Sequence, residues 1–120
     1  MSVSFDGIGE LVATFEAASG TAAGYPVAMS ASGKVAKASN GARFCGVALY
    51  VTGDGHAAVQ LHGHYTAEYS GTAPSVGYGH LIADGSGKVK ADAGTEGVYT
   101  GSEYLISEVD TTAKTVGFWM

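Results

Sequence analysis

Two histidines separated by one glycine, His62 and His64, come closest in this chain to a chemical site. On a β-strand, side chains two residues apart point to the same face, so the two imidazoles would lie side by side. A third histidine, His80 or His56, would complete a set of three nitrogen ligands for zinc. However, no cysteine or carboxylate stands at a matching spacing, and the pattern is also typical of a solvated or interface strand. We therefore predict no metal site and no cofactor.

The aspartates form no evident catalytic pair. Asp54, Asp84, Asp92 and Asp110 all lie in turn-like contexts, where an aspartate typically caps backbone N–H groups. Glycoside hydrolysis needs paired carboxylates, and a calcium site needs at least about six oxygen ligands. The chain also lacks a serine in a G-x-S-x-G turn and the G-x-G-x-x-G spacing of a phosphate-binding loop. We predict no catalytic residue and expect that the chain is not an enzyme.

Charge and composition exclude several classes of partner. The net charge of −5 argues against binding to a nucleic-acid backbone. The N-terminal stretch MSVSFDGIGE lacks the basic start and apolar stretch of a signal peptide, and no segment approaches the roughly 20 apolar residues of a membrane span. We expect a soluble protein made in the cytoplasm. Its single cysteine, Cys45, is expected to be a small buried apolar residue.

The elements that would position these residues are predicted to be strands. Short alternating runs are bounded by glycine-rich turns, and 19 of the 120 residues are glycine. The turns SGK, GDG, ADGSGK and DTTA each join two such runs, and FCGVALYV is apolar on both faces, as in a central strand. The segment IGELVATFEAA fits a helix or a strand, and we favour a strand. The fold class is therefore all-β.

A repeat divides the chain into two similar halves. The offset between matched residues rises from 53 (24 to 77) through 54 (33 to 87) to 55 (44 to 99). We interpret the repeat as one β domain, residues 11–120, with halves of about 21–70 and 71–120 packed as a small barrel or sandwich. The matches are Gly24-Tyr25 with Gly77-Tyr78, Gly33-Lys34-Val35 with Gly87-Lys88-Val89, and Phe44-Cys45-Gly46 with Tyr99-Thr100-Gly101.

The chain ends and several large rings are the predicted contact surface. Residues 1–10 have the character of an extended N-terminal arm with apolar anchors. Tyrosine and tryptophan are enriched at protein interfaces, although most rings of a small domain belong to its core. The contact residues that we predict for a protein or oligomer interface are Val3, Phe5, Ile8, Tyr65, Tyr69, Phe118, Trp119 and Met120.

Three stretches that together cover residues 21–120 carry a resemblance to a known family. They are AAGYPVAMSASGKVAKASNGARFCGVAL, HGHYTAEYSGTAPSVGYGHLIADGSGKV and the closing YLISEVDTTAKTVGFWM. With these motifs the chain resembles the small capsid decoration, or cement, proteins of tailed bacteriophages. Tyr25 departs from the pattern, which has a small or acidic turn residue there.

The resemblance implies a non-enzymatic virion protein on the outer surface of a phage head, synthesised in the cytoplasm of the bacterial host. Such proteins are small β-barrels that usually bind as homotrimers where several subunits of the major capsid protein meet. They add to the shell after it has expanded and help it to resist the pressure of the DNA inside. Their N-terminal segment often runs onto a neighbouring subunit as a strand, here residues 1–10. Two alternatives stay open: a phage tail or baseplate β-domain, and a carbohydrate-binding β-sandwich with a stacking site centred on Trp119.

Overall fold

The computed structural model describes residues 9–120, and every regular element in this part of the chain is a β-strand. This confirms the all-β prediction, including a strand rather than a helix within IGELVATFEAA. The predicted arm lies almost entirely outside the described residues. The strands are β1 (Leu11–Ala17), β2 (Pro26–Ala31), β3 (Lys34–Lys37), β4 (Gly46–Val51), β5 (His56–His62), β6 (His64–Glu68), β7 (Gly77–Ala83), β8 (Val89–Ala91), β9 (Ser102–Asp110) and β10 (Thr115–Trp119).

The ten strands form two sheets of five. The first half, β1 to β5, is a closed barrel in the order β1-β3-β2-β4-β5, with β1 antiparallel to β5 and parallel to β3. The second half, β6 to β10, has the order β6-β10-β9-β7-β8. A parallel bridge between Tyr69 and Val89 links the two edges of this second sheet. The small barrel predicted from the sequence is therefore confirmed.

The two halves share one strand order. When β6 to β10 are matched in turn with β1 to β5, every neighbouring pair of the second sheet has its counterpart in the first. The closing contact is also shared, because Ala17 lies opposite Val35 as Tyr69 lies opposite Val89. In both halves the fourth strand skips one residue in its ladder with the fifth, at Leu49 in β4 and at Ser107 in β9.

This matching moves the boundary between the halves. Residues 64–68 form the first strand of the second half, so the predicted boundary near residue 70 is one strand too late. The first strands of the two halves share little sequence. Both contain a threonine followed two residues later by a glutamate, which are Thr14 and Glu16 in β1 and Thr66 and Glu68 in β6. The clear sequence matches begin only at the second strand of each half. The sequence repeat therefore does not show at which residue the second half begins.

Local predictions from turns are confirmed, whereas the prediction for Cys45 is wrong. The four predicted turns join β2 to β3, β4 to β5, β7 to β8 and β9 to β10, and β4 lies between β2 and β5. Cys45 is exposed, because the residues on either side of it, Phe44 and Gly46, are the ones that point inward. Successive side chains of an extended chain point to opposite faces, so Cys45 cannot point inward together with both of its neighbours.

Each half has its own hydrophobic core. The core of the first half is built from small and β-branched side chains: Val27, Val35, Ala48, Ala57 and Val59. The core of the second half is larger and includes Leu81, Val89, Tyr104, Ile106, Val116 and Phe118. It also takes in Phe44 from the loop between β3 and β4 of the first half. The Phe44 ring stacks on Tyr104, with 5.6 Å between ring centroids, so the second core is completed by the first half.

The loop 38–45 and Tyr25 hold the β7–β8 hairpin of the second half, a contact that we call the clasp. The Gly41 N–H donates to the carbonyl of Ala83 at 2.8 Å, and the Ala83 N–H donates to the carbonyl of Ala42 at 3.0 Å. The Tyr25 ring lies so close to Gly87 that a Cβ there would fall 2.4 Å from a ring carbon. Only glycine fits at this turn, which also has φ of +99°.

A buried glutamine stabilises the connection between β5 of the first half and β6 of the second. Gln60 is buried, and its Nε2 donates to the carbonyls of His62 at 3.1 Å and His64 at 3.0 Å. Between those histidines, Gly63 has φ of +103° and its N–H and carbonyl pair with Met120. Buried amides and carbonyls need such partners, so Gln60 is a structural residue of this link.

Candidate functional site

Four side chains form a continuous row across the outer face of the second sheet. In the register of the sheet Tyr78 lies opposite Leu105, Leu105 opposite Trp119, and Trp119 opposite His64. The row therefore crosses β7, β9, β10 and β6 in that order. We call Tyr78, Leu105, Trp119 and His64 the outer row.

Strand alternation explains why these side chains point away from the core. Leu105 stands between Tyr104 and Ile106, which are both buried, and Trp119 follows the fully buried Phe118. Successive residues of a strand face opposite sides, so the neighbours of core residues face outward. Tyr78 is 76% exposed and Leu105 is also exposed, which leaves apolar surface uncovered.

Aromatic contacts order the His64 end of the outer row, and a second ring pair lies on the same face of β7 as Tyr78. The ring of His64 meets Trp119 edge to face, with centroids 5.2 Å apart, and its Nε2 lies 3.1 Å from the hydroxyl of Ser107. Near Tyr78, the ring of His80 stacks on Tyr99 with centroids 3.9 Å apart. Such contacts restrict ring motion, so less side-chain entropy is lost when a partner binds.

A network of hydrogen bonds shapes the loop that carries Tyr99. The carboxylate of Asp92 accepts N–H bonds from Gly94, Thr100 and Gly101, each at 2.9 Å. The Gly101 bond is the main reason that the pKa of Asp92 is lowered. The aspartate thus caps the loop, the role predicted for it from its turn-like context.

Asp84 plays the same part in the β7–β8 turn. Partial burial raises the pKa of its carboxyl, but hydrogen bonds from Ser70, Ser86 and the N–H of Lys88 outweigh burial and bring the pKa to about 2. A carboxyl with such a pKa stays ionised near neutral pH and cannot serve as a general acid there. Its chemistry is that of a turn cap.

The structure does not bring the histidines together as metal ligands. His64 contacts Trp119 and Ser107, whereas His80 stacks on Tyr99. His56 Nδ1 lies 3.3 Å from the carboxylate of Asp54, and His62 is exposed on β5. Within residues 9–120, no group of three or more His, Cys, Asp or Glu side chains is placed to hold a metal ion.

The predicted contact residues fall into three groups. Val3, Phe5 and Ile8 lie outside the described residues. Trp119, Tyr65 and Met120 are half-buried, and Trp119 belongs to the outer row. The remaining two are a correction: Tyr69 and Phe118 are core residues, because the closing bridge turns Tyr69 inward and Phe118 faces Ile106 and Tyr65.

Leu105 and Tyr78 are not among the contact residues predicted from the sequence. A signal for Leu105 was present, since EYLISEV alternates and one of its faces must hold Tyr104 and Ile106. The row itself has no sequence signal, because it depends on the register of four strands that are far apart in the chain.

The chain matches no protein-family model, and no curated protein is significantly similar to it. Within residues 9–120, no helix has the length and apolar character needed to cross a bilayer.

Proposed function

We propose that this chain is a non-enzymatic structural protein that binds the outer surface of a phage head and stabilises the capsid lattice. Its partners are the major capsid protein and further copies of itself, arranged as a homotrimer on the virion. Support comes from the sequence resemblance to capsid decoration proteins and from the exposed apolar surface of the second sheet.

The observation that carries this proposal is the outer row. A continuous line of tyrosine, leucine, tryptophan and histidine across four strands gives the second sheet an outer surface with apolar and aromatic character. Tyrosine and tryptophan are enriched among the few buried residues that contribute most of the binding energy of protein interfaces. Contacts repeated over a whole shell also gain from multivalency, so each one need not be strong.

Replacement of one anchor tests this assignment. We expect Leu105→Asp to reduce the affinity for expanded heads that lack the protein by at least about tenfold, because a carboxylate would be buried against the partner. Co-sedimentation over a range of protein concentrations gives the affinity. The sheet should fold normally in this variant, since Leu105 is exposed in the described chain.

Tyr50→Asp is the matched control, because Tyr50 is also an exposed apolar residue in mid-sheet but lies on β4 of the first half. This control should bind heads as the wild type does. Equal binding by the wild type and Leu105→Asp would show that the outer row is not the capsid contact.

A carbohydrate-binding module is the second candidate, and the same row favours it. The exposed Tyr78 and the half-buried Trp119 lie on the outer face, and rings of these types also stack on sugar rings. A glycan array distinguishes the two: a defined glycan signal that Trp119→Ala abolishes would favour this candidate over the capsid. A tail or baseplate domain would associate with tails and not with heads.

A further inference from the structure

The clasp joins one half of the chain to a single hairpin of the other. Lys90 Nζ of β8 donates to Asn40 Oδ1 at 2.7 Å, in addition to the two backbone hydrogen bonds at Ala83. Asn40 also lies so close to Gly85 that a Cβ there would meet it at 3.0 Å. The β7–β8 hairpin is thus covered by the loop 38–45 and by the ring of Tyr25.

The corresponding hairpin of the first half, β2–β3, is uncovered. Val35 and Val89 are equivalent, because each forms the pairing that closes its half. Their partners in the hairpins, Met29 and Ala83, are therefore equivalent as well. Gly33 corresponds to Gly87, because each lies two residues before its valine. Met29 is 51% exposed, whereas Ala83 is fully buried. A Cβ added at Gly33 would meet no atom within 4 Å, in contrast to the crowded Gly87.

The clasping groups of the second half are likewise uncovered. The loop 92–101 corresponds to the loop 38–45, with Tyr99 in the place of Phe44. Phe44 is 2% exposed, whereas Tyr99 is exposed beside His80 and Val98 in the same loop is 72% exposed. Within residues 9–120 each half thus presents one of two matching surfaces.

We propose that a second copy of this chain fills both surfaces. The loop 92–101 of one copy holds the β2–β3 hairpin of the next, as the clasp holds the β7–β8 hairpin within one chain. This inference deepens the self-association in the proposed function and rests on it. The contact is head-to-tail, because it joins two different surfaces of neighbouring copies.

Charge complementarity supports the same occupant. The β3 strand beside Met29 carries Lys34 and Lys37, and the exposed Glu96 lies in the loop 92–101. A basic hairpin and an acidic loop favour each other as partners in two copies of the chain. A head-to-tail contact closes into a ring when its rotation allows, and a ring of three is a homotrimer.

The test uses two variants of the full chain, each blocked on one surface. Val98→Asp blocks the loop, and Met29→Asp blocks the hairpin. We expect sedimentation velocity to show assembly of the wild type, monomers for each variant alone, and one-to-one dimers when the two variants are mixed. In the mixture, the intact loop of Met29→Asp holds the intact hairpin of Val98→Asp. Only a head-to-tail contact predicts these dimers, because each variant retains one functional surface. Tyr50→Asp, which lies outside both surfaces, should assemble as the wild type does.

Three results would overturn the inference: a wild type that is monomeric up to about 1 mM, a single variant that assembles normally, or a mixture that stays monomeric. Circular dichroism of each variant verifies that it is folded. Head binding is measured separately, so the two proposals fail separately. A protein that assembles without binding heads contradicts only the capsid proposal, whereas head binding with normal assembly of both variants contradicts only this contact.

Discussion

At the scale of single residues, the polar side chains of this protein build turns. Asp84 and Asp92 both hold backbone N–H groups of tight, glycine-rich connections, and Gln60 holds the carbonyls at the passage between the halves. Their sequence contexts allowed the two aspartates to be predicted as caps, because an Asx turn is a local structure. The burial of Gln60 was not predictable, since it depends on how β5 and β6 meet.

The cap at Asp84 makes stability depend on pH. Its folded pKa of about 2 lies below the ordinary value of about 3.9 for an unfolded chain. The ionised carboxylate therefore stabilises the fold above about pH 4, and this contribution is lost as the pH falls toward 2. We expect Asp84→Asn to lower the free energy of unfolding at pH 7 by about 1 kcal/mol, a modest value because the group is partly exposed.

Urea unfolding at several pH values checks this expectation. The gap between the wild type and Asp84→Asn should narrow from pH 5 downward and nearly close at pH 2, where the wild-type carboxyl is itself half protonated. A gap that stays constant over this range would show that the carboxylate charge has no part in stability.

At the scale of elements, the two halves have the same strands in the same order but different surroundings. The loop 38–45 places Phe44 in the neighbouring core, whereas its counterpart, the loop 92–101, places Tyr99 on the surface beside His80. Matched residues in a repeat can thus contribute different amounts to the free energy of unfolding. Identical topology therefore does not imply identical packing.

This difference predicts unequal costs for equivalent truncations. Phe44→Ala should destabilise the fold by about 3–4 kcal/mol, because it leaves a cavity against Tyr104 and Phe118. Tyr99→Ala, the matched variant, should cost about 1 kcal/mol or less, since it loses only a stacked ring at the surface. Denaturant unfolding at low protein concentration measures both. Equal costs for the two variants would contradict the account of the clasp.

The elements themselves were largely predictable from sequence, but their partners were not. Hairpins follow from local signals, so the turns at SGK, GDG, ADGSGK and DTTA could be placed correctly. The pairing of β1 with β5 and of β6 with β10 is not local to a hairpin, and the boundary between halves was misplaced for that reason. The burial of Tyr69 and Phe118 and the alignment of the outer row depend on the same non-local pairing.

At the scale of the whole molecule, the protein has two halves with the same strand order but with different surfaces left uncovered. The second sheet presents the outer row, and the first half leaves the β2–β3 hairpin uncovered. In the account proposed here, the first surface meets the capsid and the second meets another copy. A molecule with both contacts ties several lattice positions together, which is the physical requirement for reinforcing a shell against internal pressure.

The most direct test of this account is co-sedimentation of the purified protein with expanded heads that lack it and with unexpanded proheads. The account predicts saturable binding to expanded heads alone, with a number of copies per shell that is a multiple of three. An absence of binding to either particle, at protein concentrations up to about 100 μM, would contradict it.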